Sequence, residues 1–537
     1  MAVWDRISDA PDALGRLRRF VLDLAVRGQL VEQDPREQHS VGLIECLPVR
    51  TPDHAIVGPM PPGWTVARLD DVATCLDFMR RPVNGSERDR RKEGKSPDEL
   101  FPYYGATQQQ GWIDDFLFDE ELVLLGEDGV PFFEPNRTKA YRITGKSWVN
   151  NHAHVFRPRH VLAAYLIHYL NVFDYKGRVV GSTRSKLNQA KAVDIPVVVP
   201  PRDEQRRIIA KVDELMALCD RLDAARTERE IRRDRLVVAT LNRLTTSATN
   251  STEEARFSAT FALSSLQHIT FGRDHVSQIR GSILALAVQG RLVDQLFTDE
   301  PPRAPQLRSF AASSDFDRRA YEEELKQLTL PSTWISAPLA LVSTHIVDCP
   351  HTTPKWTESG EVCIRTNQLK RAGLDLSASR FVSSDEYLER IERLEPQGGD
   401  ILYSREGGIL GIACIIPSGV RVCMGQRLML IRAGQGLIPA FLNMVLNSPQ
   451  LTSIAFRRTT GGAAPRVNMS TVRAYPIPLP PLAEQHRIIA KVNALMALCD
   501  QLEVSLATAS TTRAKLLEAT LRDALLPAEE TLLEAAQ

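Results

Sequence analysis

The chain has 537 residues, which predicts several domains rather than one hydrophobic core. Its 66 basic and 66 acidic residues give a formal net charge of zero, so the global charge gives no support for nucleic-acid binding. Hydrophobic residues make up 43% of the sequence, which argues against intrinsic disorder, and no apolar run reaches the length of about 18 residues that a membrane-spanning helix needs.

The N-terminal segment lacks the apolar stretch and cleavage site of a signal peptide, so we expect a cytoplasmic protein. The eight cysteines form no C-x-x-C pair, and Cys219 and Cys499 lie on apolar faces of predicted helices. We therefore expect reduced thiols. His152 and His154 lie two residues apart in a predicted strand, but no further ligands are evident, so no metal site is assigned.

The first predicted helix contains a segment that occurs twice in the chain. LAVRGQLV at 24–31 matches LAVQGRLV at 286–293, and PPGWTVARL around Trp64 matches LPSTWISAPL around Trp334. Between these segments and the next repeated one, the two halves of the chain diverge almost completely. Constant segments that frame two unlike regions indicate an internal duplication.

The longest repeated segment predicts two long helices. IPVVVPPRDEQRRIIAKVDELMALCDRL at 195–222 matches YPIPLPPLAEQHRIIAKVNALMALCDQL at 475–502, and Asp203 is a candidate N-cap after the first double proline. Apolar residues three and four positions apart form a heptad-like seam, which predicts that the two helices pack on each other; ordinary amphipathic core helices are the alternative. The seam residues are Ile208, Val212, Leu215, Cys219 and Leu222 in the first helix, and Ile488, Val492, Leu495, Cys499 and Leu502 in the second.

The order of the repeated segments predicts how the chain closes. LAVQGRLV follows the first long helix, whereas its counterpart precedes the first variable region, so we expect the N-terminal segment to pack beside the C-terminal helix. The predicted fold is α+β, with two mixed, strand-rich domains separated by two long antiparallel helical spacers in a pseudo-twofold internal duplication. The predicted boundaries are an N-terminal helical segment at 1–60 that completes the distal spacer, a first domain at 61–200, a central spacer helix at 201–245, a linker and helical segment at 246–330, a second domain at 331–480 and a C-terminal spacer helix at 481–537.

Both variable regions are predicted to contain strands followed by a helix. The first contains short apolar runs and the turn pair Asp128-Gly129, and then a predicted helix at 160–172. In the second, GDILYSREGGILGIACIIP predicts a hairpin, VCMGQRLMLIRA a strand and LIPAFLNMVLNSPQ a helix.

These variable regions and the spacers resemble the specificity subunits of type I restriction–modification systems. GDILYSREGGILG with VCMGQRLMLIR is similar to one recognition domain of that family, YYGATQQQGWIDDFLFDEELVLLGEDG with WVNNHAHVFRP to another, and KLNQ…IPVVVPP-x-x-EQ-x-x-I to its helical spacers. The resemblance covers nearly the whole chain. It implies a non-catalytic subunit without a cofactor of its own, which binds a bipartite target in double-stranded DNA. It also implies two methyltransferase subunits that carry S-adenosylmethionine and two motor-nuclease subunits that use ATP and Mg²⁺ as partners.

A DNA reader needs cations for phosphates, and amide or guanidinium groups for base edges. In the first region the candidates are Arg80, Arg81, Arg88, Arg90, Arg91 and Lys92 in a basic loop, Gln108, Gln109 and Gln110 in a turn, and Arg184, Lys186 and Asn188 before the spacer. In the second they are Arg365, Thr366, Asn367 and Gln368 after an apolar strand, Arg405 in a hairpin turn, and Arg458, Thr459, Arg466 and Asn468 before the spacer. The alternatives are a solvated loop, a plain polar turn and, for Arg405, a salt bridge with Glu406.

The competing function is a helical scaffold protein with two protein-binding domains. A DNA reader loses affinity steeply as salt rises, which distinguishes the two. A stand-alone enzyme is disfavoured, because Gly145-Lys146-Ser147 lacks the upstream glycine of a phosphate-binding loop and no other catalytic motif is evident.

Overall fold

A computed structural model of the chain describes residues 9–37, 61–181, 185–246, 272–302, 316–371, 373–377, 379–461 and 465–525. The chain divides into two compact units, one formed by 1–229 with 509–537 and the other by 230–508. Both divisions fall inside long helices, so each of these helices contributes residues to both units.

The first unit contains a strand-rich domain that lies between helix α1 (Ala13–Val26) and the long helix α6 (Arg202–Thr246). Its strands are β1 (Thr65–Arg68), β2 (Ala73–Cys75), β3 (Phe101–Tyr104), β4 (Gln109–Ile113), β5 (Phe118–Asp119), β6 (Leu122–Gly126), β7 (Ala140–Ile143), β8 (Lys146–Val149), β9 (Ala153–Pro158), β10 (Val179–Val180), β11 (Lys186–Leu187) and β12 (Pro196–Val199). The helices between the strands are α2 (Leu69–Val72), α3 (Gly85–Lys92), α4 (Ala163–Val172) and α5 (Gln189–Val193).

Two four-stranded sheets form this domain. The first has the order β2-β9-β6-β7 and is antiparallel throughout, whereas the second has the order β4-β3-β8-β5 with β3 parallel to β8. A separate antiparallel pair, β1 with β12, places Thr65 opposite Val199. The strand that follows Trp64 is therefore hydrogen-bonded to the strand that leads into α6.

The second unit repeats this plan. Its helices are α7 (Arg273–Val288), α8 (Arg318–Leu325), α9 (Leu339–Val342), α10 (Ser384–Ile391), α11 (Pro439–Leu446), α12 (Pro449–Arg457), α13 (Met469–Arg473) and the long α14 (Leu482–Asp523). Its strands are β13 (Ile335–Pro338), β14 (Ser343–Asp348), β15 (Trp356–Thr357), β16 (Glu361–Ile364), β17 (Leu369–Lys370), β18 (Gly373–Leu374), β19 (Arg380–Val382), β20 (Ile401–Ser404), β21 (Ala413–Ile415), β22 (Val422–Met424), β23 (Leu428–Ala433) and β24 (Pro476–Leu479).

The sheets of the second unit correspond to those of the first. The order β14-β23-β20-β21 matches the antiparallel sheet, β15-β19-β16-β22 contains a parallel pair of β16 with β22, and β13 pairs with β24 as β1 pairs with β12. The α+β fold with an internal duplication, as predicted from the repeats, is confirmed. The expected hairpin is β20 with β21. VCMGQRLMLIRA was expected to be one strand, but it is two, because the chain turns between Met424 and Leu428 with Arg427 at a φ of 71°.

The seam of each long helix packs on the domain that precedes it. Ile208 and Val212 are fully buried in one core with Trp64 and Tyr165. In the second unit, Ile488, Val492 and Cys499 share a core with Trp334 and Phe441, and Leu495 and Leu502 pack against it. Leu215 packs against the first of these cores, Cys219 is buried, and Leu222 is exposed. The alternative of ordinary amphipathic core helices is therefore correct where the apolar residues complete the cores of their own domains, and the seam prediction stays untested at Cys219 and Leu222. Helix α6 also begins at Arg202, so Asp203 lies in its first turn and is not the N-cap.

The distal end of each long helix packs against a LAV-x-G-x-L-V helix. Val237 and Leu241 of α6 lie in one core with Val276 and Ile279 of α7. In the first unit, Leu517 of α14 forms a cluster with Ala10 and Ala13 at the start of α1, and Arg16 donates a hydrogen bond to the Ala514 carbonyl at 3.5 Å. The expected packing of the N-terminal segment beside the C-terminal helix is present.

The seven cysteines among the described residues are free thiols, and Cys46 lies outside the described residues. Among the described helices, none combines the length and apolar character required to cross a lipid bilayer.

Candidate nucleic-acid interface

Each recognition domain is fixed to its long helix by a buried tryptophan–glutamate pair. The Trp64 indole donates to Glu204 at 2.9 Å, and the Trp334 indole donates to Glu484 at 3.0 Å. The second carboxylate oxygen accepts from Gln33 in the first unit and from Gln295 in the second. Burial raises the pKa of both glutamates, although the indole hydrogen bonds oppose the shift.

We call the contacts between each domain, its long helix and the LAV-x-G-x-L-V segment the frame. Its further contacts also repeat position by position. Arg207 pairs with Glu37, and Arg487 pairs with Asp299 at 2.6 Å. Gly28 and Gly290 both have positive φ angles, 71° and 68°. A Cβ atom at either glycine would approach the ring of Pro61 or Pro331 to 2.3–2.4 Å, so a side chain at these turns would both strain the backbone and collide. The frame holds the two domains by the same contacts.

A second repeated contact joins the helix of each domain to its antiparallel sheet. The Asn171 amide accepts from the Ala140 N–H at 3.1 Å and donates to the Ala140 carbonyl at 2.8 Å. Asn447 makes the same pair of hydrogen bonds with Ala413, at 3.1 and 2.8 Å. These asparagines satisfy backbone groups at a sheet edge, so they are structural.

Arg80 and Lys186 of the first domain are held in an internal ion network. The Arg80 guanidinium lies 2.6 Å from Glu127 and 3.1 Å from Asp77, and Lys186 lies 3.2 Å from Glu127. His154 hydrogen-bonds Asp77 at 2.6 Å. Burial would raise the pKa of Asp77, but the His154 hydrogen bond and the Arg80 charge outweigh it, so the pKa is lowered.

This network determines two assignments. Asp77, Glu127 and His154 lie close enough to share a metal ion. Arg80 already pairs with both carboxylates, so we assign an ion network and not a metal site. The prediction that Arg80 contacts DNA is wrong. Its side chain is only 14% exposed and its charge is neutralised within the domain, so Arg80 is a structural residue.

Arg405 of the second domain has a comparable structural role. Its guanidinium pairs with Asp348 at 2.5 and 3.1 Å and donates to the Val467 carbonyl at 3.3 Å, and its side chain is 9% exposed. The prediction that Arg405 contacts DNA is therefore wrong. The expected alternative partner, Glu406, is also wrong, because the carboxylate comes from the end of β14.

The basic loop of the first domain folds into α3, which Asn84 caps by accepting from the Glu87 N–H at 2.8 Å. Most of its cations have internal partners. Arg91 pairs with Asp114 at 2.5 Å, Arg90 with Glu87 at 2.7 Å, and Lys92 with Asp89 at 2.8 Å. Arg88 lies over the ring of Tyr103, with its Cζ 4.4 Å from the ring centroid. The segment is helical, so a disordered loop is incorrect, but α3 has no buried residue and its exposed face stays compatible with the solvated alternative.

The three consecutive glutamines and Arg81 face solvent. Gln108 is exposed in the connection between β3 and β4, and Gln109 and Gln110 are exposed at the start of β4, where the Gln109 side chain donates to the Gly111 carbonyl at 3.0 Å. Arg81 is exposed, and no carboxylate pairs with it among the described residues. These positions stay candidates for DNA contact.

In the loops before the two long helices, some of the predicted DNA-contact residues are exposed and others are paired within the domain. Arg184 lies outside the described residues, and Asn188 is exposed at the start of α5. In the second domain Arg458 pairs with Glu323 at 2.7 Å and Glu324 at 3.0 Å, so it is corrected to a structural residue, and the Thr459 hydroxyl donates to the Ala455 carbonyl. Arg466 and Asn468 are exposed.

The polar cluster after β16 contains both structural and exposed members. Gln368 is 2% exposed, because its amide accepts from the Arg365 N–H and donates to the Asp375 carbonyl, so its assignment to DNA is wrong. Thr366 is half-buried and Asn367 is exposed. The Arg365 guanidinium lies against the Trp356 ring, 6.0 Å from its centroid.

Sequence reasoning missed two residues beside Arg365. Trp356 begins β15, and Arg380, which begins β19, lies 5.3 Å from the same ring. The only available signal was the basic and aromatic stretch at 355–356, because the three residues meet through strand pairing that the sequence does not reveal.

Comparisons with known proteins agree with this architecture. The model of the type I restriction modification DNA specificity domain matches residues 61–233 and 357–507, which together exceed half of the chain. The EcoEI specificity subunit of Escherichia coli is 24% identical, over 95% of this chain and 93% of that protein, and the EcoAI specificity subunit is 22% identical, over 94% and 92%. A putative type I specificity subunit of Haemophilus influenzae, S.HindORF215P, is 35% identical over 151 residues, which are 28% of this chain and 37% of that one.

A solved chain from work on complex assembly and conformational transition of the type I R-M system covers 87% of this chain at 17% identity, with a TM-score of 0.46. The two matched ranges correspond to the two halves of the duplication seen in the sheets and in the frame. The chain belongs to the family of type I restriction–modification specificity subunits.

Proposed function

We propose that the chain reads a bipartite DNA target, with one half-site bound by each recognition domain. The observation that carries the proposal is the duplicated frame. Trp64 with Glu204 and Trp334 with Glu484 repeat the same hydrogen bond, whereas the residues that face solvent on the two domains are unlike. A repeated frame that carries two domains with unlike surfaces suits a protein that places two different recognition surfaces on one ligand.

In this proposal the chain carries no chemistry and no cofactor of its own. Two methyltransferase subunits with S-adenosylmethionine modify the target, and two motor-nuclease subunits with ATP and Mg²⁺ restrict it. The lengths of the spacer helices, 45 and 42 residues, set the gap of non-specific base pairs between the half-sites. A scaffold with two protein-binding domains is not favoured, because the relatives that align over most of this chain are named as restriction-enzyme specificity subunits.

Selection of duplexes from a randomised library by the full-length chain tests the proposal. We expect the bound pool to converge on two short sequence blocks separated by a gap of constant length. A chain in which the exposed Gln108, Gln109 and Gln110 are changed to alanine should lose selectivity in one block only. A pool with a single block, or without enrichment over competitor DNA, would contradict the bipartite target.

A further inference from the structure

Two arginines of the second unit lie against one indole ring. The Arg365 and Arg380 Cζ atoms are 6.0 and 5.3 Å from the centroid of Trp356. The three residues come from the neighbouring strands β15, β19 and the end of β16, which pair in one sheet. A guanidinium stacked on an aromatic ring loses less freedom on binding than a free side chain does, so this arrangement prepares two cations for an anionic ligand.

Neither guanidinium is neutralised by a carboxylate of the described chain. The Arg365 Nε atom is buried and lacks a hydrogen-bond partner, and Glu358, two residues after Trp356, pairs with neither arginine. Lys355, next to the ring in sequence, is exposed and adds a third positive charge. By contrast, Arg405 elsewhere in the same domain pairs with Asp348. Two arginines without an ion-pair partner at one aromatic ring present positive charge that an external anion can neutralise.

The first unit has the same type of site on the corresponding sheet. Arg88 lies 4.4 Å over the ring of Tyr103, no carboxylate pairs with it in the described part of the chain, and its Nε is buried without a partner. Tyr103 lies in β3, which pairs in parallel with β8 as β16 pairs with β22. The sequences of the two sheets have diverged, but each keeps an aromatic-backed arginine that forms no ion pair with the described residues.

We propose that Arg365 and Arg380 on Trp356, and Arg88 on Tyr103, bind backbone phosphates of the two half-sites. The inference rests on the proposed function and names the ligand chemistry of the second sheet in each domain. Phosphate oxygens fit the site better than a base edge does, because cations approach the indole from two separate strands and one base presents only one edge. These contacts fix the register of each domain on the duplex and leave sequence discrimination to other residues.

The test is the salt dependence of duplex binding by the full-length chain. For the Arg365→Ala, Arg380→Ala double variant we expect equal weakening on the selected target and on unrelated duplex. The slope of log Kd against log salt should fall by about 0.9 for each phosphate that the variant no longer neutralises. Arg88→Ala removes one cation, so its slope should fall by about 0.9 as well.

The matched control is Arg421→Ala. Arg421 also lies 4.4 Å from an aromatic ring, that of Tyr387, but it pairs with Glu361 at 3.1 Å, so its removal should leave the slope unchanged. The Arg365→Lys, Arg380→Lys variant keeps both charges and should keep the wild-type slope with weaker binding. If the double alanine variant does not fold, the single Arg380→Ala variant, at an exposed position, should still lower the slope by about 0.9.

Wild-type affinity and slope in the double alanine variant would overturn the phosphate sites. An unchanged slope with lost discrimination at one base pair would also overturn them, because that result indicates a base contact. Failure of the wild-type chain to bind duplex selectively would instead overturn the proposed function.

Discussion

The two halves of the molecule are alike in the frame that joins each domain to its long helix and unlike on the surfaces that face solvent. Trp64 and Trp334 make the same buried hydrogen bond to equivalent glutamates, and Asn171 and Asn447 make the same pair of bonds to a sheet edge. The ion pairs inside the domains, in contrast, use different residues, as Glu127 with Arg80 in the first and Arg405 with Asp348 in the second. Duplication has preserved the residues that carry packing and has released those that can carry recognition.

The largest expected effect comes from removal of the frame tryptophans. Trp334→Ala removes a side chain that is 5% exposed and leaves Glu484 without its indole donor, so we expect a loss of about 3–5 kcal/mol in the stability of the second unit. Trp64→Ala should destabilise the first unit by a similar amount. Urea denaturation with hydrogen-exchange mass spectrometry measures each unit separately. Trp112→Ala, at a position that is 48% exposed, is the control and should be nearly neutral. Unequal stability losses for the two tryptophan variants would show that the two copies of the frame are not energetically equivalent.

The next effect distinguishes the two domains. Arg405→Ala removes the bidentate guanidinium partner of Asp348 in a nearly closed site and leaves His351, 3.2 Å away, beside that carboxylate, and we expect the second unit to lose about 3 kcal/mol. Adding Asp348→Ala should restore part of that stability, because the uncompensated charge is then gone. The same denaturation experiment measures the coupling. Full stability in the single variant, with loss of one base preference, would return Arg405 to the recognition surface.

A smaller effect depends on pH. Burial raises the pKa of Glu484 above its ordinary value of 4.5, so the folded state binds this proton more tightly than the unfolded state does. The resulting stability is fully present below pH 4.5 and is lost as pH rises through the higher folded-state pKa. Glu484→Gln keeps an acceptor for Trp334 and removes the ionisation. Stability measured across this range should therefore fall less with rising pH in the variant than in the wild-type chain. Glu204→Gln should behave alike in the first unit, and parallel curves for variant and wild type would refute the shift.

The smallest effect concerns a pair of exposed salt bridges. Arg18 pairs with Asp220 at 2.7 Å in the first unit, and Arg280 pairs with Asp500 at 2.8 Å in the second. Both acidic side chains are largely exposed, so Arg18→Met and Arg280→Met should each cost less than about 1 kcal/mol. A larger loss at either position, measured by the same denaturation, would show that the repeated ion pair stabilises the frame as the tryptophans do.

The sequence predicts the frame well because the frame is repeated. Two copies of the same heptad-like stripe and the same double proline predicted both long helices, which are present at 202–246 and 482–523. The partners of the stripes were wrong, since an apolar stripe specifies burial but not the surface that buries it. Ile208 packs with Trp64, which lies 144 residues earlier in the chain, and neither composition nor periodicity indicates that contact.

The candidate interface was predicted less completely than the fold. Basic residues were selected by charge, yet Arg80, Arg405 and Arg458 are neutralised by carboxylates from distant positions, as Arg405 is by Asp348, 57 residues away. Arg380 was missed because its relation to Trp356 exists only through the pairing of β15 with β19. The predicted domain boundaries and the exposed polar positions such as Asn468 stay predictions.

The opposite placement of charge in the two domains limits how they can recombine. The Leu187 N–H donates to the Glu127 carbonyl, and the Val467 N–H donates to the Arg405 carbonyl, so an acid in one domain occupies the place of a base in the other. A crossover inside a domain would join Glu127 to a strand that ends in Asp348, and would bring these two carboxylates together without the Arg80 guanidinium that pairs with Asp77 and Glu127. Exchange of a whole domain, with junctions in the repeated segments, keeps each ion network intact and should preserve stability where a crossover inside a domain does not.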